Sequence, residues 1–171
     1  IAGSVVGTYW FLMMIGRLCG ASIGAKVSSR AMLTVVSTVG IVLVLGAIFC
    51  ADNILVNMPV FKSDISFGFA QVPVNVMLLI LCGLCTSVMW GGIFNLAVEG
   101  LGKFTAAASG LFMVMVCGGG ILPLIQGGVA DFAGFLNSYW VIALGLAYIL
   151  FYAAIGSKNV NTDIPTDDYE A

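Results

Sequence analysis

The sequence predicts an all-α, polytopic membrane protein with five transmembrane helices, and three observations carry that prediction. The first is composition. Of 171 residues, 61% are hydrophobic and 8% charged, against roughly 25% charged in an ordinary soluble domain. The second is length: the apolar residues gather in five runs, about 1–25, 31–50, 73–98, 104–130 and 135–157, and about 20 residues suffice to cross the ~30 Å core of a bilayer. The third is pattern. In lipid the backbone must bond to itself, so only helices and closed barrels span. Continuous apolar runs, rather than ten-residue alternations, select helices.

Taken in order, the first run is interrupted only by Arg17, and Gly16, Gly20 and Gly24 repeat every fourth residue along it. That small-xxx-small spacing is a helix-packing device. A tight basic turn over residues 26–30 leads to the second run, twenty residues without a charge. The long connection 51–72 carries Asp52, Asn53, Asn57, Pro59, Lys62 and Asp64, yet it is too rich in Ile, Val and Phe for a plain solvated loop. A short interfacial helix and a ribbon both fit it. The third run contains SVMWGGIFNLAVEGLG, residues 87–102, which sets Trp90 beside Gly91-Gly92 and Asn95 and closes on Glu99. The short connection 99–103 makes the third and fourth helices antiparallel neighbours. In the fourth run Gly118-Gly119-Gly120 followed by Pro123 predicts a bend or flexible joint near mid-membrane; tight helix crossing is the alternative use of such glycines. Residues 158–171, with Asp163, Asp167, Asp168 and Glu170, read as an acidic, disordered cytoplasmic tail.

Orientation follows from the cations. Arg17, Lys26, Arg30, Lys103 and Lys158 fall on one side of a five-span topology, and Lys62 alone on the other. The positive-inside rule makes the first side cytoplasmic. The expected location is the cell's inner (plasma) membrane, multi-pass, with the C-terminus inside. The chain begins at Ile1, apolar from the start and without a charged leader, so it is expected to be the C-terminal part of a longer polypeptide.

Several functions are disfavoured. Six basic and eight acidic residues give no nucleic-acid footprint. There is no histidine, no Walker-type phosphate loop, no Gly-x-Ser-x-Gly elbow and no close carboxylate pair within a span, so the chain is not expected to be an enzyme or an ATP-driven pump. Cys19, Cys50, Cys82, Cys85 and Cys117 sit in apolar runs and read as small buried hydrophobes, not as a metal or redox set. No cofactor is expected.

The residues left to carry function are polar groups at lipid depth. Arg17 precedes Lys26 by nine residues, roughly 13 Å of helix, and a guanidinium at that depth needs a carboxylate, carbonyls or water. It suits a gate, a coupling pair or a substrate contact, and snorkelling to the headgroups is the plainer alternative. Trp10 shares its helix face, with Met13 and Met14 nearby. Glu99, at the end of the third helix, is set against the dipole and calls for a cation: Lys103 at i+4, or Arg17 or Arg30 from further away. Asn95 and Gln126 can hydrogen-bond solute hydroxyls or a neighbouring helix. Trp90 can cover the apolar face of a sugar ring, though on a straight helix it stands 140° from Asn95 at about 100° per residue. Distortion at Gly91-Gly92 would be needed to aim both at one solute.

The stretches MMIGRLCG (13–20), IFNLAVEGLGKFT (93–105), ASGLFMVMVCGGGILP (108–123) and GGVADFAG (127–134), in that order and spacing, resemble the C-terminal half of major facilitator superfamily sugar transporters. The likeness is to the fucose:proton symporter and glucose/galactose transporter group. It implies that the five helices form most of one six-helix half, equivalent to helices 8 to 12, with the N-terminal half of the same polypeptide as partner. It also implies cation-coupled symport of a monosaccharide such as fucose, glucose or galactose by alternating access, with a proton, or else sodium, as coupling ion. By the same resemblance Arg17 matches the arginine of the group's Gly-Arg motif and Trp90 its aromatic. Gly91-Gly92 and Asn95 depart from the group's Pro-Thr and serine, which touches the identity of the sugar. Other readings are a transporter of another small polar solute and a non-transporting sensor or assembly protein on the same half.

Overall fold

The computed structural model describes residues 2–24, 26–50, 54–61 and 66–158. The expected acidic tail beyond Lys158, and Asp52, Asn53, Lys62 and Asp64 of the long connection, lie outside the described residues. Within them run α1 (Ala2–Gly24), α2 (Ser29–Phe49), β1 (Leu55–Phe61), β2 (Phe67–Pro73), α3 (Val74–Val98), α4 (Thr105–Met115), α5 (Gly118–Ala133) and α6 (Tyr139–Phe151). Five helical stretches are long and apolar enough to cross a membrane: Gly3–Gly24, Ser29–Phe49, Val74–Val98, Gly102–Ala133 and Leu136–Gly156. The fold is that of an all-α polytopic membrane protein.

Local chemistry sets the ends of these helices. Ser28, extended at φ −62° and ψ 142°, accepts a hydrogen bond from the Ala31 N–H and caps α2. This is the N-cap geometry that satisfies an otherwise orphan donor. Pro73 stands immediately before α3, where its missing N–H costs nothing. Gly100 and Gly102 take positive φ values of 76° and 46° in the turn after α3, and Gly134, at φ 91°, ends α5. Glycine enters that region without the clash of a Cβ. Several hydroxyls inside the spans bond back to their own helix, as Thr34 does to the Arg30 carbonyl and Thr38 to that of Thr34, whereas the buried Ser37 Oγ has no partner among the described residues. Those that bond back need no partner in lipid.

α3 is central. It runs parallel to α1, since Gly16 meets Ser87 and Gly20 meets Val88, and antiparallel to α2, where Gly46 meets Leu78 and Gly92 meets Leu33. α6 lies antiparallel to α2, with Gly40 against Leu146 and Phe49 edge-on to Trp140. One core cluster joins Leu33 and Val44 of α2, Cys82, Cys85 and Met89 of α3, and Ala143 and Leu146 of α6. The seam between α1 and α3 is tighter still. A Cβ on Gly16 would overlap Ser87 Oγ, and one on Gly20 would overlap Val88. Of the three glycines in the predicted repeat, two form the seam, while Gly24 has only the end of Met32 at 3.9 Å.

Two elements refine the sequence reading. The connection 51–72 resolves as a ribbon: β1 and β2 pair antiparallel from Leu55 opposite Pro73 to Phe61 opposite Phe67. The fourth span is broken, as its glycines suggest, though the break falls at Val116 and Cys117, just before them. There Gly119 and Gly120 donate to the carbonyls three residues back. Pro123 lies within α5, which continues to Ala133, so Asp131 sits in its last turn and not in the connection that follows. None of the residues of α4 or α5 is buried. The last span ends in a wide turn, Tyr152–Gly156, and Arg30 Nη2 donates to the Ser157 carbonyl at 2.9 Å. The start of α2 and the end of the chain's last span are therefore held at one end of the bundle.

Candidate functional site

Arg17 and Asn95 come together. With Gly20, Ser29, Ser87 and Gly91-Gly92 they line a cavity of about 300 Å³ between α1, α2 and α3. The sequence explains how. Glycines at positions 16 and 20 bring α1 against α3, so Arg17, one residue off the seam, emerges beside the α3 backbone. Gly91 and Gly92 carry no side chain into the space, which leaves room in front of Asn95. Arg17, exposed, makes no hydrogen bond or ion pair to another described residue, and the cavity it lines is also lined by an amide and two hydroxyls, groups that complement a guanidinium with five N–H donors. Small-molecule pockets run from about 300 to 1,000 Å³ with a few placed polar groups, and this cavity fits the lower end. The arrangement can hydrogen-bond the rim of a small polyhydroxylated or anionic solute.

Asn95 also borders a second cavity of about 650 Å³, shared with Ser28, Arg30 and Glu99. A third, of about 240 Å³, places Arg30 and Glu99 with Ser157 and Lys158. Glu99 is the residue that ends α3, with extended backbone, and Arg30 is the distant cation that shares both cavities with it. Lys103 stands over the ring of its neighbour Phe104 at 5.5 Å. The first two cavities share Ser29 and Asn95, and the last two share Arg30 and Glu99.

The remaining sequence candidates stand elsewhere. α3 is unbroken through Gly91-Gly92, so Trp90 and Asn95 keep their divergent directions. Trp90, 47% exposed, meets Phe112 of α4 edge-on at 5.2 Å, and Phe94 meets the same ring at 5.4 Å. Trp10 is 61% exposed on α1 and touches Tyr9 edge-on. Gln126 is half-buried on α5, away from the Arg17 cavity. Gly118, Gly119 and Gly120 have open space where a Cβ would go. Of the five cysteines expected to be buried, Cys82 and Cys85 are buried in the core, Cys50 is half-buried, and Cys19 and Cys117 are exposed.

Sequence reasoning missed Ser29 and Ser87 as cavity residues. Ser87 opens the SVMW stretch, and its position two turns before Asn95 on one helix was a usable signal. It also missed the polar ties of α1: Tyr9 Oη to Thr86 Oγ1 at 3.2 Å, and Thr8 Oγ1, which accepts from the Phe61 N–H at 2.9 Å. These link residues 77 and 53 positions apart, a separation that no local pattern encodes.

The chain is similar to several bacterial proteins. It is 44% identical over 77 residues to a protein of Brucella abortus named glucose/galactose transporter, covering 45% of this chain and 19% of that protein. It is 32% identical over 155 residues to a Helicobacter pylori protein provisionally named glucose/galactose transporter, covering 88% of this chain and 33% of that one. It is 33% identical over 92 residues to the L-fucose-proton symporter of Escherichia coli, covering 53% of this chain and 21% of the symporter. The chain spans between about a fifth and a third of the length of these relatives. No family model matches the sequence, and no solved structure does. The relatives fit the sugar-transporter group that the sequence motifs resemble, and all are transporters by name.

Proposed function

We propose that this chain forms one wall of a secondary active transporter that carries a monosaccharide of the glucose, galactose or fucose kind by alternating access. The observation that carries the reading is the meeting of Arg17 and Asn95 at one cavity inside a membrane bundle. Sugar hydroxyls accept from the guanidinium and exchange hydrogen bonds with the amide, while Gly91-Gly92 let the solute approach the backbone of α3. The glycine seam makes α1 and α3 move as one body, which suits rocking against a partner half of the same polypeptide. The break before Gly118, with Pro123 after it, supplies a place for the fourth span to bend. Coupling is to a cation, with the proton favoured by the name of the fucose relative. The described carboxylates, Glu99 and Asp131, lie at span ends; by the resemblance to the sugar-symporter group the proton acceptor is expected in the N-terminal half. The cluster of Arg30, Lys103 and Lys158 around one end supports a cytoplasmic C-terminus in a plasma membrane.

The test is sugar uptake by the intact polypeptide in proteoliposomes. Arg17→Gln removes charge-assisted bonds worth about 1.5–3 kcal/mol, so uptake at low sugar should fall roughly 10- to 100-fold. Asn95→Ala should lower it about fivefold, for a neutral bond near 1 kcal/mol. Normal uptake by both variants would remove this cavity from the transport path.

A further inference from the structure

The β1–β2 hairpin takes no part in the proposed site, and its two faces differ sharply. Met58, Val60 and Val72 point inward and are buried against α1 and α3. The other face carries Leu55, Asn57 and Pro59 from β1 and Phe67, Phe69 and Gln71 from β2. Register sets Pro59 opposite Phe69 and Asn57 opposite Gln71. Phe69 is 80% exposed and Leu55 61%, while Phe67, 66% exposed, also meets Phe11 of α1 edge-on at 5.5 Å.

The hairpin is fixed at the start of α3 and along the first half of α1. Pro73 of β2 leads directly into α3, and the Val74 N–H donates to the Ile54 carbonyl at 3.0 Å. At the other end of the ribbon the Phe61 ring stacks on Phe11 of α1, 5.2 Å between centroids and 4° from parallel. Other exposed aromatics ring this end of the bundle: Phe49 at the end of α2, and Phe135 and Trp140 at the start of the last span.

Two requirements then meet. A two-stranded ribbon has open edges whose N–H and C=O groups need water or headgroups, so it cannot lie in hydrocarbon. Exposed phenylalanines and a leucine on one face are out of place in bulk water, and large apolar patches of this kind mark a binding surface. The boundary between headgroups and acyl chains satisfies both, as it does for amphipathic interfacial segments and aromatic belts.

We infer that the outward face of the hairpin, centred on Phe69, is seated in the phospholipid interface at this end of the bundle and anchors α1 and α3 against it. The interface continues the belt of Phe49, Phe135 and Trp140, which commits the occupant to lipid and not to a soluble partner. The inference does not depend on which solute the protein carries.

Photocrosslinking tests it. p-Benzoylphenylalanine is placed at position 69 or 70 of the intact polypeptide, in vesicles of phosphatidylethanolamine and phosphatidylglycerol. On illumination Phe69→p-benzoylphenylalanine should give phospholipid adducts. Ala70→p-benzoylphenylalanine, on the inward face, should crosslink within the chain. Intramolecular crosslinks from position 69 would show that another part of the polypeptide covers this face, and absence of any adduct would show that it faces water; either result overturns the assignment. Should position 69 not accept the label in a folded protein, Leu55→p-benzoylphenylalanine, 61% exposed on the same face, is read by the same outcomes.

Discussion

The α1–α3 seam and the fourth span are both rich in glycine, and they use it in opposite ways. At Gly16 and Gly20 the missing side chain is the contact: the opposing Ser87 and Val88 occupy the space a Cβ would take. At Gly118, Gly119 and Gly120 no atom of the described residues lies within 4 Å of that space, and the neighbouring backbone has left the α-helix. The same residue type is a packing surface in one region and a weakness in the chain's own hydrogen-bond ladder in the other. Glycine content alone does not say which; the neighbour does.

The largest expected effect tests the seam. Gly16→Leu should prevent α1 from docking on α3 and abolish folded protein. Gly16→Ala should destabilise by about 1–3 kcal/mol through overpacking, outweighing the roughly 1 kcal/mol that alanine gains in helix propensity. The unfolding midpoint of the detergent-solubilised protein reads both, and a midpoint unchanged in Gly16→Ala would mean that the seam is looser than it looks.

An intermediate effect is expected at Trp90, where α3 and the fourth span touch through Phe112. If that indole also covers a sugar ring, Trp90→Phe should weaken uptake modestly and Trp90→Ala severely, aromatic contacts adding about 0.5–1.5 kcal/mol beyond burial. Normal sugar uptake by Trp90→Ala would assign the ring to packing against α4 and leave recognition to the Arg17 cavity.

The smallest effect sharpens the contrast by its sign. Gly119→Ala meets no atom within 4 Å and should leave the midpoint unchanged or raise it, by at most about 1 kcal/mol. Its influence should appear in turnover, slowed further in Gly119→Leu, if the break bends during transport. A loss of stability in Gly119→Ala as large as that in Gly16→Ala would erase the distinction between the two regions.

The helices were readable because lipid is a strict solvent. A run of about 20 apolar residues has few alternatives there, although the exact ends, at Ser28, Pro73 and Gly134, came from the structure. The ribbon was not decidable, because a stretch such as 55–61, LVNMPVF, is short and apolar and suits an interfacial helix or a strand equally well. Its pairing depends on Phe67 to Pro73, supplied later in the chain, and on Thr8, far before it. Arg17 stood out for its depth and Asn95 for its polarity. Their meeting could not be read from the sequence, and neither could the parting of Trp90 from Asn95, which required knowing that α3 passes through Gly91-Gly92 unbroken.

Composition and run length by themselves thus determined the solvent, the helical form of the spans and their number, because each follows from local free energies of transfer and backbone hydrogen bonding. The spacing of Gly16 and Gly20 further marked α1 as a packing helix. Only the tertiary structure decided that its partner is α3, that Ser29, Ser87 and Asn95 border one cavity with Arg17, that Arg30 reaches the carbonyl of Ser157, and that the fourth span stands unburied. Those outcomes depend on helix rotation and on pairing across tens of residues, where many arrangements bury similar apolar area and close contacts such as Gly16 on Ser87 select among them.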